Sequence, residues 1–264
     1  MRSALSEHVE KEQFPQYPAP VAIQPGGEGH TPHHPYLQHH FDNMEQQKEA
    51  SSLGMWIFLI TEIMFFGGMF AAYLVYRYWF YNEFAWGSTS LNIWLGGINT
   101  VVLICSSLTM AMAVHAAQLG MRKLLISFLL LTLGLGFVFL GIKAIEYTDK
   151  YKEHHIPGQH FHFGEVKMID GSTVDVEHDV KNKVDQRHAQ IFFSLYFALT
   201  GMHAMHMIIG AGLLTTLIIM AWKGKFSATY YTPVENIGLY WHFVDIVWIF
   251  LFPLLYLISR VHIK

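Results

Sequence analysis

Apolar positions in this chain gather into five long runs that polar segments separate. Each run is long enough for a helix to cross a hydrocarbon core, which needs roughly 20 residues. Backbone groups in lipid must bond within helices or a closed barrel, and no run alternates apolar and polar residues as barrel strands do. The pattern therefore predicts an all-α membrane protein, a bundle of five transmembrane helices at Leu53–Trp79, Ile93–Leu119, Leu124–Tyr147, Gln190–Trp222 and Ile237–Ser259.

Two long polar segments lie outside these runs. Residues 1–50 are rich in Pro, Gly, His and Gln without helical or strand periodicity, which predicts a flexible aqueous N-terminal arm. Residues 51–264 form the predicted transmembrane domain, and 148–189 are its aqueous loop. Flexible polar arms accumulate histidine easily, so we predict no metal site from the histidines of the arm, His8, His30, His33, His34, His39 and His40.

Composition agrees with a membrane protein and excludes other classes. The chain is 52% hydrophobic and 14% charged, whereas soluble domains carry about a quarter charged residues. A net charge of −3 does not suggest nucleic acid as a partner. The single cysteine, Cys105, excludes an internal disulfide. The first residues lack an apolar core of a signal peptide, so we expect the first span to direct insertion.

Short connections predict the orientation of the bundle. Basic residues flank the second and fourth connections, whereas the first connection has only Arg77 at its helix end and Glu83. Short loops rich in Lys and Arg remain in the cytoplasm. We therefore expect a cytoplasmic N-terminus and an outside C-terminus, from the basic residues Arg122, Lys123, Lys223 and Lys225.

Small residues recur within the spans and predict close helix packing. Van der Waals contact drives helix association in lipid, and small residues let backbones approach. The glycines that suggest a tight bundle are Gly67, Gly68, Gly134, Gly136, Gly141, Gly201, Gly210 and Gly212.

Ionisable residues inside the spans are the candidate functional groups, because charge is unfavourable in lipid. Glu62 lies deep in the first span, and His203 and His206 share one face of the fourth. His242 and Asp245 repeat that spacing in the fifth. A di-metal site would need paired Glu-x-x-His motifs and further carboxylates, so we predict a hydrogen-bonded polar cluster without metal.

Glu62 is expected to face the bundle interior or a lipid cleft and to bond across helices to a histidine. A nearby histidine lowers the cost of a carboxyl group in lipid. We favour His206 as the partner, with His203 next.

Five motifs in order resemble the cytochrome c oxidase subunit III family, the haem-copper oxidase subunit III, over residues 51–259. FLITEIMFF is similar to the family signature around its carbodiimide-reactive glutamate, here Glu62. INTVVLICSSLTMAMAVHAAQLG resembles the family's next helix, with His115 as its closing histidine. LGLGFVFLGIKAIEY resembles the helix after it, which ends in a Glu-Tyr pair, here Glu146 and Tyr147. FFSLYFALTGMHAMHMIIGAGLL and YWHFVDIVWIFLFPLLYL resemble the last two helices. The chain lacks the first two of seven spans, which resembles the five-span form of bacterial caa-type oxidases.

The resemblance implies an accessory, non-catalytic subunit of a proton-translocating oxidase in the bacterial inner membrane. Haem and copper are expected in partner subunits I and II, with no cofactor in this chain except bound phospholipid. The subunit would pack on subunit I, contact subunit II and further small subunits, and join a respiratory supercomplex. It would support proton uptake and catalytic lifetime during oxygen reduction.

Four alternatives remain open from the sequence. The complex could be a quinol oxidase, or the chain could accompany a nitric oxide reductase. An autonomous membrane metalloenzyme would need bound iron, zinc or copper. A proton-coupled transporter could use Glu62, His206 and Asp245 as a relay, but it would usually show an internal repeat with broken helices.

Overall fold

The computed structural model describes residues 37–38, 40–153, 155–158, 161–167, 173–175, 184–227 and 230–258. The predicted arm 1–50, with its histidines up to His39, lies mostly outside this part. The compact unit runs from Gln38 onward. Its helices are α1 (Met44–Trp79), α2 (Tyr81–Thr89), α3 (Ile93–Gln118), α4 (Arg122–Lys152), α5 (Gln186–Trp222) and α6 (Thr232–Tyr256), and its strands are β1 (Glu165–Lys167) and β2 (Thr173–Asp175).

The five predicted spans are confirmed as α1, α3, α4, α5 and α6, each long and apolar enough to cross a membrane. Several helices are longer than the apolar runs. The Asn43 side chain caps α1 by accepting from Gln46 N at 2.8 Å, so residues 44–50 of the predicted arm are helical. α4 continues past Tyr147 to Lys152. Hydropathy cannot locate these ends, because caps rather than lipid set them.

Glycines end two of the spans at the same side of the bundle. Gly120 lies two residues beyond the end of α3 with φ 69°, and Gly224 lies two residues beyond the end of α5 with φ 71°. This left-handed conformation costs glycine little and stops the helix. Arg122, at the start of α4, donates from Nε to the carbonyl of Ala221 at 2.9 Å, which joins the two turns.

The short helix α2 is an element that apolar run length did not predict. Its residues from Phe84 to Ser88 are buried, and it packs against α5. Gly87 lies directly against the ring of Phe192, which leaves no room for an added Cβ atom. α2 therefore closes one end of the bundle. We call this end the loop side, because the loop that follows α4 begins there, and the opposite end the N-side.

Trp241 of α6 joins the other central helices. Its indole Nε1 donates to the Ser106 hydroxyl of α3 at 2.9 Å. Its ring passes between Gly136 of α4 and Gly210 of α5, and a Cβ atom added to either glycine would stand 2.9 Å from a ring carbon. The predicted close packing is confirmed at these two glycines, whereas Gly67, Gly68, Gly134, Gly141 and Gly212 have no neighbour there within 4 Å.

α1 is the peripheral helix. It packs on α5 and α6. Only 17% of its most apolar 18-residue segment is buried, whereas the corresponding share for α6 is 44%. Polar contacts hold it at the N-side, where Lys48 Nζ lies 3.3 Å from Glu235 and Asn236 donates to the Ser51 hydroxyl at 2.8 Å. Near the loop side, Tyr73 donates to the carbonyl of Leu254 at 2.8 Å.

The start of the loop is fastened by a small charged group beyond α4. Lys150 Nζ donates to Glu153 at 2.6 Å and to the carbonyl of Ser90 at 2.8 Å. Partial burial raises the pKa of Glu153, but the hydrogen bond with His155 and the charge of Lys150 outweigh burial and lower the pKa to about 2. Glu153 is therefore ionised at neutral pH. β1 and β2 pair antiparallel farther along, and the sequence pattern did not predict them.

Candidate functional site: a one-proton contact between α1 and α5

Glu62 and His206 meet across α1 and α5. His206 Nε2 lies 3.1 Å from Glu62 Oε2, which confirms the predicted contact and its favoured partner. His206 Nδ1 donates to the carbonyl of Met202 at 2.9 Å, because a carbonyl oxygen only accepts. The remaining proton of the pair therefore lies between Nε2 and Oε2. Whether oxygen or nitrogen carries it, the pair as a whole is neutral, which suits a site within lipid.

The surroundings leave this contact at the bundle surface rather than at its centre. The side chain of Glu62 is 20% exposed and that of His206 10%. The Phe66 ring lies against the His206 ring with centroids 5.2 Å apart, and Tyr240 donates to the His206 carbonyl at 2.9 Å. Aromatic rings thus shield the histidine, while the carboxyl group stays reachable from beside α1.

His203 lies one turn away on α5 but points into the core. It is fully buried between the rings of Phe139 and Trp248, with centroids 5.3 and 5.2 Å away. Neither ring nitrogen has a hydrogen-bond partner within the described residues. The three-residue spacing turns His203 away from α1, so only His206 reaches Glu62.

The remaining two members of the predicted polar cluster lie on the α3 side of α6. His242 Nδ1 is 2.7 Å from the Ser107 hydroxyl. Asp245 is 2% exposed, and neither carboxyl oxygen has a hydrogen-bond partner in the described part of the chain. The structure thus separates His203, His206 and the His242–Asp245 pair, because α5 and α6 present them to different neighbouring helices.

A second polar group, around Lys143 of α4, lies in the core. Lys143 Nζ donates to Glu146 at 2.9 Å and to the Tyr256 hydroxyl at 2.8 Å. Tyr196 also donates to Glu146, at 2.9 Å, and so does Tyr256. Sequence reasoning assigned Glu146 only to a helix-end motif. The Lys-x-x-Glu spacing within an apolar run was the signal for a buried pair.

The other two helix-end residues have separate positions. Tyr147 and the Thr200 hydroxyl of α5 are 2.6 Å apart, so Tyr147 joins α4 to α5. His115 lies exposed in the last turn of α3. Within the described residues no group of three or more His, Cys, Asp or Glu side chains is placed to hold a metal ion. The absence of metal from the whole chain stays a prediction.

Comparison with known sequences decides the family. The profile described as cytochrome c oxidase subunit III matches residues 36–152 and 186–260. The chain belongs to this family. Its profile omits 153–185, which is most of the loop, and covers all five spans.

Individual relatives support the assignment to subunit III. Cytochrome c oxidase subunit 3 of Corynebacterium diphtheriae is 32% identical over 210 residues, covering 79% of this chain and 88% of the relative. The protein of the same name from Thermostichus vulcanus is 29% identical over 224 residues, covering 83% and 92%. The protein of the same name from Struthio camelus is 28% identical, and the match covers 77% of this chain and 67% of the relative. The chain is therefore a multi-pass subunit III of a haem-copper oxidase complex.

Proposed function

We propose that this chain is an accessory subunit III, without haem or copper, of a caa-type cytochrome c oxidase in a bacterial inner membrane. The family match carries the proposal. Matches that cover 92% of the Thermostichus relative and 88% of the Corynebacterium relative support the assignment to a bacterial oxidase. Co-purification in mild detergent tests the donor. A copper-containing subunit II with an attached cytochrome c domain is expected, and a subunit II without copper would contradict it.

Subunit I and phospholipid are the proposed neighbours of the exposed apolar surface. α1 supports this proposal best, because most of its apolar segment is uncovered and the glycines Gly67 and Gly68 leave open space beside it. A phospholipid chain beside α1 would bring lipid close to Glu62. Subunit II, small subunits and a respiratory supercomplex complete the proposed partners.

The proposed orientation places the N-side in the cytoplasm. Basic residues in the two short N-side turns, such as Arg122 and Lys223, support it. A cysteine replacing Met121 is expected to react with a membrane-impermeant maleimide only in inverted vesicles. A cysteine replacing the exposed Ile156 should react only in right-side-out vesicles. Reaction of both from one side would refute the topology.

Removal of this subunit should leave the initial rate of oxygen consumption substantial but shorten the active lifetime. The reason is that the proposed role is proton supply and protection, whereas the reaction itself occurs at metals in subunits I and II. Turnovers completed before inactivation would be counted with an oxygen electrode for the complete and the depleted oxidase. Loss of activity from the first turnover, in an otherwise intact complex, would contradict the accessory role.

Glu62 is expected to react with a hydrophobic carbodiimide, which attacks protonated carboxyl groups reachable from lipid. The proton shared with His206 supplies the reactive form. Glu62→Gln should abolish labelling and leave oxygen reduction largely intact. Glu49→Gln, at an exposed position of the same helix, should label like the unmodified protein. Labelling that persists in Glu62→Gln, measured by mass spectrometry of the peptide, would show that another carboxyl group reacts.

A further inference from the structure

A groove runs down the N-side half of the bundle between α1 and α3, with α6 as its floor. Its volume is about 500 Å³. Lys48 and Ser52 of α1 and Glu235 and Asn236 of α6 give it a polar mouth, whereas α3 contributes Ala111 and Val114. His242 of α6 also lines the groove. It is therefore apolar along its walls and polar at the mouth and at one point of its floor.

Asp245 lies one helical turn beyond His242, on the face of α6 that meets α3. Its carboxyl group is buried and both oxygens lack a hydrogen-bond partner within the described residues. Buried polar atoms in native proteins are almost always satisfied by protein or ordered water. The Ser107 hydroxyl lies 2.7 Å from His242 Nδ1 and also interacts with the Asp245 carboxyl group. One hydroxyl group cannot satisfy two carboxyl oxygens, so Asp245 requires a further hydrogen-bonding partner.

The groove is the route by which that partner can arrive. From Glu235 at its mouth to Asp245 is ten residues of α6, a rise of about 15 Å. His242 lies between them and lines the groove. One turn nearer the mouth, Gly238 of α6 packs against Val114 of α3. A Cβ atom added to Gly238 would stand 2.9 Å from a methyl carbon of Val114, so α3 and α6 are closely packed there. Polar side chains of α6 therefore line the groove at its mouth and at His242, and Ser107 and Asp245 lie beyond His242.

We propose that this groove is a water-filled inlet from the N-side surface and that its water reaches Asp245 by way of His242 and Ser107. Asp245 then exchanges its proton with the N-side aqueous phase. In this transfer a hydronium ion in the groove loses one O–H bond and becomes water, while the carboxylate gains one O–H bond, and the reverse step returns the proton to water. A lipid chain fits the walls as well as water does, but its methylene groups cannot bond to a carboxyl group or to the polar mouth.

Water in the groove is tested by cysteine reactivity in the complex within native membranes. The native Cys105 is first replaced by serine, since it is exposed on α3. Ala111→Cys places a thiol in the groove, and Ile104→Cys places one on the exposed face of the same helix outside it. A charged methanethiosulfonate needs the hydrated thiolate, so Ala111→Cys should react about tenfold faster or more. Equal, slow reaction of both would overturn the inlet and indicate a lipid-filled groove.

Access to Asp245 itself is tested by infrared spectroscopy after transfer to D₂O. The protonated carboxyl band of Asp245 is identified by its loss in Asp245→Asn. It should shift within the mixing time in the parent protein and about tenfold more slowly in Ala111→Trp, which plugs the groove. The matched Ile104→Trp should exchange like the parent. An Asp245 band that shifts equally fast in Ala111→Trp, or no such band at any pH, would overturn the proposal. These readouts report water access whichever oxidase holds the subunit, so they fail independently of the proposed function.

Discussion

Lys143→Met is expected to lower the thermal stability of the subunit more than any surface substitution. Lys143 is 3% exposed and Glu146 2%, and the two side chains are joined at 2.9 Å. Removing one partner of a buried pair leaves an uncompensated charge and costs about 3–5 kcal/mol. The substitution also removes the Lys143 ammonium group that donates to the Tyr256 hydroxyl at 2.8 Å. The midpoint temperature at which the solubilised complex loses this subunit should fall clearly.

The double variant Lys143→Met/Glu146→Gln separates charge from packing. It removes both charges, so its midpoint should lie well above that of Lys143→Met. Lys123→Met, at an exposed position of the same helix, is the control and should leave the midpoint unchanged. A double variant as unstable as the single one would mean that packing around the lysine stem, and not the pair, determines stability.

Gly210→Val is expected to separate α5 from α6. A Cβ atom at this position would already stand 2.9 Å from a carbon of the Trp241 ring, and valine adds two methyl groups. Overpacking of this kind costs typically about 1–3 kcal/mol. Displacing the Trp241 ring also breaks its hydrogen bond to Ser106. The amount of subunit retained in the purified complex after heating should therefore decrease.

A nearby glycine of α5 gives the control for this experiment. Gly212→Val adds the same side chain two residues away, where nothing lies within 4 Å, and should be tolerated. Gly136→Val and Gly134→Val form a second pair of test and control variants on α4. Gly136 lies against Trp241, whereas Gly134 faces open space. Equal retention of the four valine variants would show that the bundle accommodates the added methyl groups and that Trp241 does not determine the packing.

The sequence alone identifies the spans because lipid imposes a simple rule on it. Any segment without about 20 apolar residues fails to cross, so α3 begins at Ile93 and α1 and α5 end at Trp79 and Trp222 as predicted. Outside the lipid this rule does not apply. The polar start of α1 at Met44 and the helix α2 depend on a cap and on packing against the bundle end, which hydropathy does not record.

The candidate site could be predicted only in part, because lipid restricts where polar groups occur but not which of them meet. Glu62 stands out in the sequence because a lone carboxyl group in an apolar run needs a partner, and the spacing of α5 restricts that partner to His203 or His206. Choosing between the two histidines requires the rotation of α5 about its axis, since three residues turn the two rings toward different helices. That rotation comes from side-chain packing over the whole bundle.

Only the tertiary structure revealed the pairing of Lys143 and Glu146 with tyrosines from α5 and α6, and the isolated carboxyl group of Asp245 beside a groove. These arrangements depend on residues far apart along the chain, such as Lys143 and Tyr256, which 113 positions separate. Hydropathy along the chain shows which residues lie in lipid and which of them carry an unfavourable polar group. Which polar groups meet is decided by helix rotation and by close contacts such as those of Trp241, because the van der Waals packing that sets them is specific to the assembled bundle.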